Sequence, residues 1–124
     1  MKQVYFVGTV GTDPAFAQKR EALLAVAAEA NWSICFPLER HSSFDLKIAL
    51  ADMEASSVVF ADVSLERPSC YFEIGLAQAI GVPTVVVAQS GTQLHQFAGR
   101  DQVRYYNDLG EYAHAFRLSL QSEA

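Results

Sequence analysis

Apolar residues gather along this chain in short continuous runs separated by longer stretches of helical spacing. Residues 4–7 form the first run, Val-Tyr-Phe-Val, closed by Gly8 and Gly11. So short an apolar run, rich in β-formers and without polar alternation, predicts a strand buried on both faces, as in parallel sheets. Asp13 and Pro14 then predict a helix start, with Asp13 as cap and Pro14 in the first position. Phe16, Leu23, Leu24 and Ala27 follow at helical spacing, with Lys19, Arg20 and Glu21 at polar positions. Residues 32–36 read as a second strand stopped by Pro37, and residues 38–43 as a polar loop. A second helix is predicted over about residues 44–55, with Leu46, Leu50 and Met53 on its apolar side.

Residues 58–63 form a third apolar strand. A loop with Glu66, Arg67 and Pro68 leads to a third helix over residues 70–80, ended by Gly81. Residues 83–88 read as a fourth strand, 90–100 as irregular, 103–106 as a short last strand and 109–120 as the final helix. This β-α alternation demands crossover connections, and hence an α/β three-layer domain of the flavodoxin or Rossmann type with a mostly parallel five-stranded sheet. With strand order 2-1-3-4-5, the switch point lies between the first and third strands, where ligands bind beyond the strand ends. The loops expected to meet there are residues 8–13 and 64–69.

Composition narrows the function. The chain has 124 residues, the size of one ordinary domain, and 51% of them are hydrophobic against 19% charged. A net charge of −5, with no run of Lys or Arg, argues against nucleic-acid polymers as partners. No stretch approaches the roughly 20 apolar residues of a membrane span. The N-terminus runs directly into a strand without the pattern of a signal peptide, so a cytoplasmic protein is expected. Cys35 and Cys70 lack metal-ligand or redox spacing and are expected to be reduced, partly buried thiols. His41, His95 and His114 share no spacing and receive no metal or catalytic role.

Two places carry chemistry. Gly8, Thr9 and Thr12 put glycine backbone and hydroxyls next to a helix start, which suits an anion or a sugar, although the dinucleotide GxGxxG pattern is absent. In the second, Arg67 and Ser69 precede Tyr71-Phe72-Glu73-Ile74-Gly75. Glu73 near a helix N-terminus is explained by dipole compensation, worth about 0.3–1 kcal/mol. Expected to be enclosed by Tyr71, Phe72 and Ile74 and to face the switch-point crevice, it is also a candidate catalytic carboxylate. Asp62, ending the third strand, is suited to bind a sugar hydroxyl or to cap the loop that follows. Arg67 and Ser69 are suited to a 5′-phosphate, with surface solvation the simpler role for Arg67.

The segments 4–9, 61–64, 71–77 and 81–87 resemble those of the nucleoside 2-deoxyribosyltransferases and deoxynucleoside-monophosphate N-glycosidases. The central segment, residues 58–88, is also similar to TIR-like nucleotide-binding proteins, some of which cleave NAD. The first resemblance implies one such domain over residues 1–124, acting on a small nucleoside or nucleotide without metal or redox cofactor. It implies Glu73 as the nucleophile that forms a ribosyl ester, and Tyr5 as the residue orienting it. It also implies a homo-oligomer, in which Tyr105, Tyr106 and Asn107 match a region that completes a neighbouring copy's pocket. These three residues equally suit a strand edge packed on the last helix. The family's acid on the second helix falls at Ala49 here, with Asp45 and Asp52 nearby. That departure leaves a non-catalytic nucleotide sensor as an alternative to an N-glycosidase or a NAD glycohydrolase.

Overall fold

A computed structural model describes residues 1–65 and 67–124. Glu66, assigned above to the loop before the third helix, lies outside the described residues. The strands are β1 (Lys2–Val7), β2 (Trp32–Cys35), β3 (Val58–Asp62), β4 (Thr84–Gln89) and β5 (Arg104–Tyr106). They form one five-stranded parallel sheet in the order β2-β1-β3-β4-β5, as the alternation predicts. The helices are α1 (Phe16–Ala30), α2 (Pro37–Arg40), α3 (Leu46–Glu54), α4 (Pro68–Ala79) and α5 (Leu109–Gln121).

Both sheet faces are covered, and the strand period of two divides the core between them. Val4 and Phe6 of β1, with Val58 and Phe60 of β3, pack beneath α1 and α5 against Leu23, Phe116 and Leu120. The intervening residues Tyr5, Val7, Val59 and Ala61 pack on the opposite side with Met53 of α3 and Ile74 and Ala77 of α4. All residues of β3 are buried, which is why that strand reads as an unbroken apolar run. No helix among the described residues is long and apolar enough to cross a membrane.

Several boundaries shift for identifiable reasons. The Asp13 carboxylate accepts from the Ala15 amide at 2.9 Å and its carbonyl from the Phe16 amide at 3.1 Å. Asp13 and Pro14 therefore build a turn, and α1 starts at Phe16 rather than at Pro14. Residues 38–40, expected as the start of a loop, instead join Pro37 in α2, with the proline at its first position, one that proline favours. Arg20 braces it through paired 2.7 Å bonds to both carboxylate oxygens of Glu39. Asp45 caps α3, accepting from the Ile48 amide at 3.1 Å. The buried side of α3 is Ala49 and Met53, whereas Leu46, expected there, is exposed. Pro68 starts α4 two residues earlier than expected.

Candidate active site

The site grows from the C-terminal ends of β1 and β3, where the two expected loops do meet. Arg67, at the start of α4, donates to Thr12 Oγ1 at 2.8 Å and ties the β3–α4 loop to the β1–α1 loop. Beside this junction opens a crevice of about 330 Å³, within the range of small-molecule sites, roughly 300–1,000 Å³. Phe6, Val10, Phe44 and Phe72 give it apolar walls; His41, Asp52, Ser69 and Glu73 supply polar groups. Phe44 and Phe72 meet edge to face, ring centroids 5.9 Å apart, and both stay about half exposed.

Glu73 is the residue through which sheet and helix meet chemically. The Tyr5 hydroxyl, rising from β1, donates to Glu73 Oε2 at 3.1 Å. Tyr5 itself is wholly buried. Burial raises the pKa of the Glu73 carboxyl, and the hydrogen bond from Tyr5 partly opposes that rise. The Tyr5 hydroxyl is held far above its ordinary range by its burial, then by the negative charge of Glu73, so it remains a neutral donor. The longer α4 makes Glu73 its sixth residue, beyond the first turn where a dipole interaction is felt. Dipole compensation therefore does not account for its position.

The surroundings of Glu73 differ from the expectation in one respect. Its chain neighbours do not jointly enclose it, because adjacent helix residues point in different directions. Tyr71 packs edge-on against His95 and Phe97, Ile74 enters the core, and of the three only Phe72 lines the crevice.

Gly8 and Ser69 line the crevice with Glu73. Gly8 is required by close approach, since a Cβ there would lie 2.5 Å from the Phe6 ring. Thr9 is directed to the Cys70 thiol, whose pKa burial pushes up to about 11, with the Glu73 charge adding to the rise and the Thr9 hydrogen bond opposing it. Cys35 and Cys70 are both free and buried.

Asp62 is 5% exposed and does not line this crevice. Its Oδ1 accepts from the Ser64 amide and hydroxyl, so it does cap the following loop. Its Oδ2 receives Lys19 Nζ at 3.0 Å and the Tyr106 hydroxyl at 2.9 Å. Lys19, placed at a polar helix position above, is 6% exposed and also bonds Asp13 at 2.7 Å. Burial alone would lower the Lys19 pKa, but the bonds and charges of Asp13 and Asp62 outweigh it and the net shift is upward. Tyr106 is buried against Tyr112 in its own chain, with ring centroids 4.9 Å apart. Tyr105 is exposed, and the exposed Asn107 bonds Glu111 at 3.0 Å, well apart from the crevice.

Two more crevice residues stand out: Asp52, noted above beside Ala49, and His41, which received no role from its spacing. Asp52, one turn after Ala49, lines the crevice, and His41 Nε2 lies 3.5 Å from its Oδ2. No spacing signalled His41, because the short helix that delivers it reads as loop.

No family model matches the sequence, and no curated protein matches it. Among solved structures, the chain is similar to the CMP N-glycosidase BcmB of Clostridium botulinum, with 19% identity and a TM-score of 0.67 over 94% of this chain and 99% of that one. It is also similar to a conserved protein from Enterococcus faecalis V583, with 18% identity and a TM-score of 0.63 over 95% and 98% of the two chains. At these identities the likeness establishes a shared fold.

Proposed function

We propose that this protein cleaves the N-glycosidic bond of a small nucleoside or nucleotide through a sugar ester on Glu73. The observation that carries the reading is the 3.1 Å hydrogen bond from Tyr5 to Glu73 at a crevice beside the switch point. The shared fold with a CMP N-glycosidase supports it.

In this reading the desolvated carboxylate attacks the anomeric carbon as the base departs, following the logic of retaining glycosidases. Tyr5 selects one oxygen of Glu73 and leaves the other for the sugar. Gly8 and Ser69 face the sugar from the crevice wall, with Thr9 behind them. Arg67, at the exposed lip, is suited to a 5′-phosphate. Asp62 acts from outside the crevice, holding the loops in place through Ser64, Lys19 and Tyr106. Asn107 is reserved for the site of a neighbouring copy in a homo-oligomer. Water completes hydrolysis of the ester; a second base completes transfer.

A binding-only role is the second reading, and Ala49 favours it. This residue, 6% exposed, has no proton to give a leaving base. Base release from deoxynucleosides, their monophosphates and NAD, followed by chromatography for wild type and Glu73→Ala, separates the readings. Release of a nucleobase that disappears in the variant supports the glycosidase. Nicotinamide release would move the substrate to NAD. Thermal stabilisation by a nucleotide without any release would establish the sensor instead.

A further inference from the structure

Departure of a nucleobase requires a proton, and the reaction proposed above, on which this inference rests, leaves its donor unassigned. Ala49 has none. Asp45 is committed to capping α3 through the Ile48 amide. His41 and Asp52 remain, both on the crevice wall with Glu73.

The His41 and Asp52 side chains form a pair. Nε2 and Oδ2 lie 3.5 Å apart, both are shielded from solvent, and neither has a hydrogen-bond partner among the described residues. Arg40 Nη1 lies 3.8 Å from the other Asp52 oxygen, Oδ1. Asp52 thus turns one oxygen toward the His41 ring nitrogen and the other toward the Arg40 guanidinium. This is how a carboxylate orients an imidazole, not how a carboxylic acid presents its proton to a ligand. With Nε2 turned to Asp52, Nδ1 is left for a ligand in the crevice.

We propose that His41, oriented by Asp52, is the general acid that protonates the departing base, in the place left empty by Ala49. As the C1′–O bond to Glu73 forms, the C1′–N bond breaks and its electron pair passes to the base. The base takes the proton from Nδ1 of the imidazolium, while Nε2–H stays with Asp52. The neutral imidazole then accepts a proton from the water that attacks C1′. The C1′–O bond to Glu73 breaks, its electron pair returns to the carboxylate, and the imidazolium is restored. The charged groups nearest this pair are Arg40 on α2, which also holds the Cys35 thiol of β2 at 3.3 Å, and, lining the same crevice, Asp45 at the cap of α3 and Glu73 on α4.

Two substrates of the same sugar test this assignment. A nucleoside or nucleotide needs its base protonated, whereas a 4-nitrophenyl glycoside releases nitrophenolate without a proton. His41→Gln is expected to lose about 10²–10⁴-fold in base release, the usual contribution of general acid catalysis, yet retain nitrophenolate release within a few-fold. If His41 is that acid, wild-type base release should fall at alkaline pH and His41→Gln should lack the fall. Asp52→Asn should give the same split between substrates. Added imidazole should restore base release to His41→Ala, which a misfolded variant could not show. Equal loss on both substrates without imidazole rescue, or unchanged base release, overturns the proposal while leaving Glu73 in place. If Glu73→Gln cleaves both substrates, or the wild type cleaves neither, the glycosidase reading itself fails and takes this inference with it.

Discussion

Replacing Tyr5 with Phe removes a single oxygen from the centre of the site. The ring is wholly buried in the core beside α3 and α4, and phenylalanine fills that space, so the fold should persist. What is lost is the 3.1 Å hydrogen bond to Glu73. A hydrogen bond to a charged group is worth about 1.5–3 kcal/mol. If it holds the attacking carboxylate in its productive orientation, its loss costs on the order of 10- to 150-fold in rate, at roughly tenfold per 1.4 kcal/mol. The pH dependence gives a second signature. Burial raises the Glu73 pKa and the Tyr5 bond opposes that rise, so Tyr5→Phe should raise it further. Glu73 must be ionised to attack, so the acidic limb of the kcat/KM profile should move to higher pH. Base release measured across pH for both proteins, with melting temperatures as the control for folding, reads both effects. An unchanged rate with an unchanged acidic limb would refute the idea that Tyr5 prepares Glu73.

Other perturbations follow from the same geometry. Lys19→Met should cost about 3–5 kcal/mol in denaturant unfolding, because it strands the buried Asp62 and Asp13 carboxylates; a loss below about 1 kcal/mol would mean the cluster is no more than a surface-type pair. Gly8→Ala should destabilise by about 1–3 kcal/mol, since its Cβ meets a Phe6 ring already packed between Phe16 and Phe36; a neutral outcome would show that the ring yields freely. Glu73→Gln should abolish turnover and melt higher than wild type at neutral pH. The sign follows from the raised pKa. Stability associated with the protonated carboxyl is present below the unfolded pKa and lost as pH rises through the folded one, so the two melting temperatures should converge in acid. A wild type that melts higher at neutral pH contradicts the burial penalty.

The sheet was legible because β1, β3 and β4 are buried on both faces and announce themselves as apolar runs, while Gly8 closes β1 and Pro83 precedes β4. Glu73 was legible through its segment, and the parallel strands bring Tyr5 to it from 68 positions away. The polar features that escaped depend on convergence that one-dimensional spacing does not carry. Lys19 occupies a position that looks solvated, yet Asp62, 43 residues away, and Asp13 draw it inward. His41 follows a helix of one turn, too short for any hydrophobic period to reveal. On α3 the expected Met53 is buried, but Leu46, expected beside it, is exposed, and Ala49 takes the buried position one turn before Met53.

The central claim is a covalent bond between sugar and Glu73, and the most direct test is to trap it. A nucleoside or nucleotide whose 2′-fluorine slows breakdown of the ester should leave a glycosyl adduct visible by intact mass after brief incubation. Peptide mapping should place that adduct on Glu73, and Glu73→Gln should remain unlabelled. Base release without any adduct, or an adduct on another residue, would contradict the account.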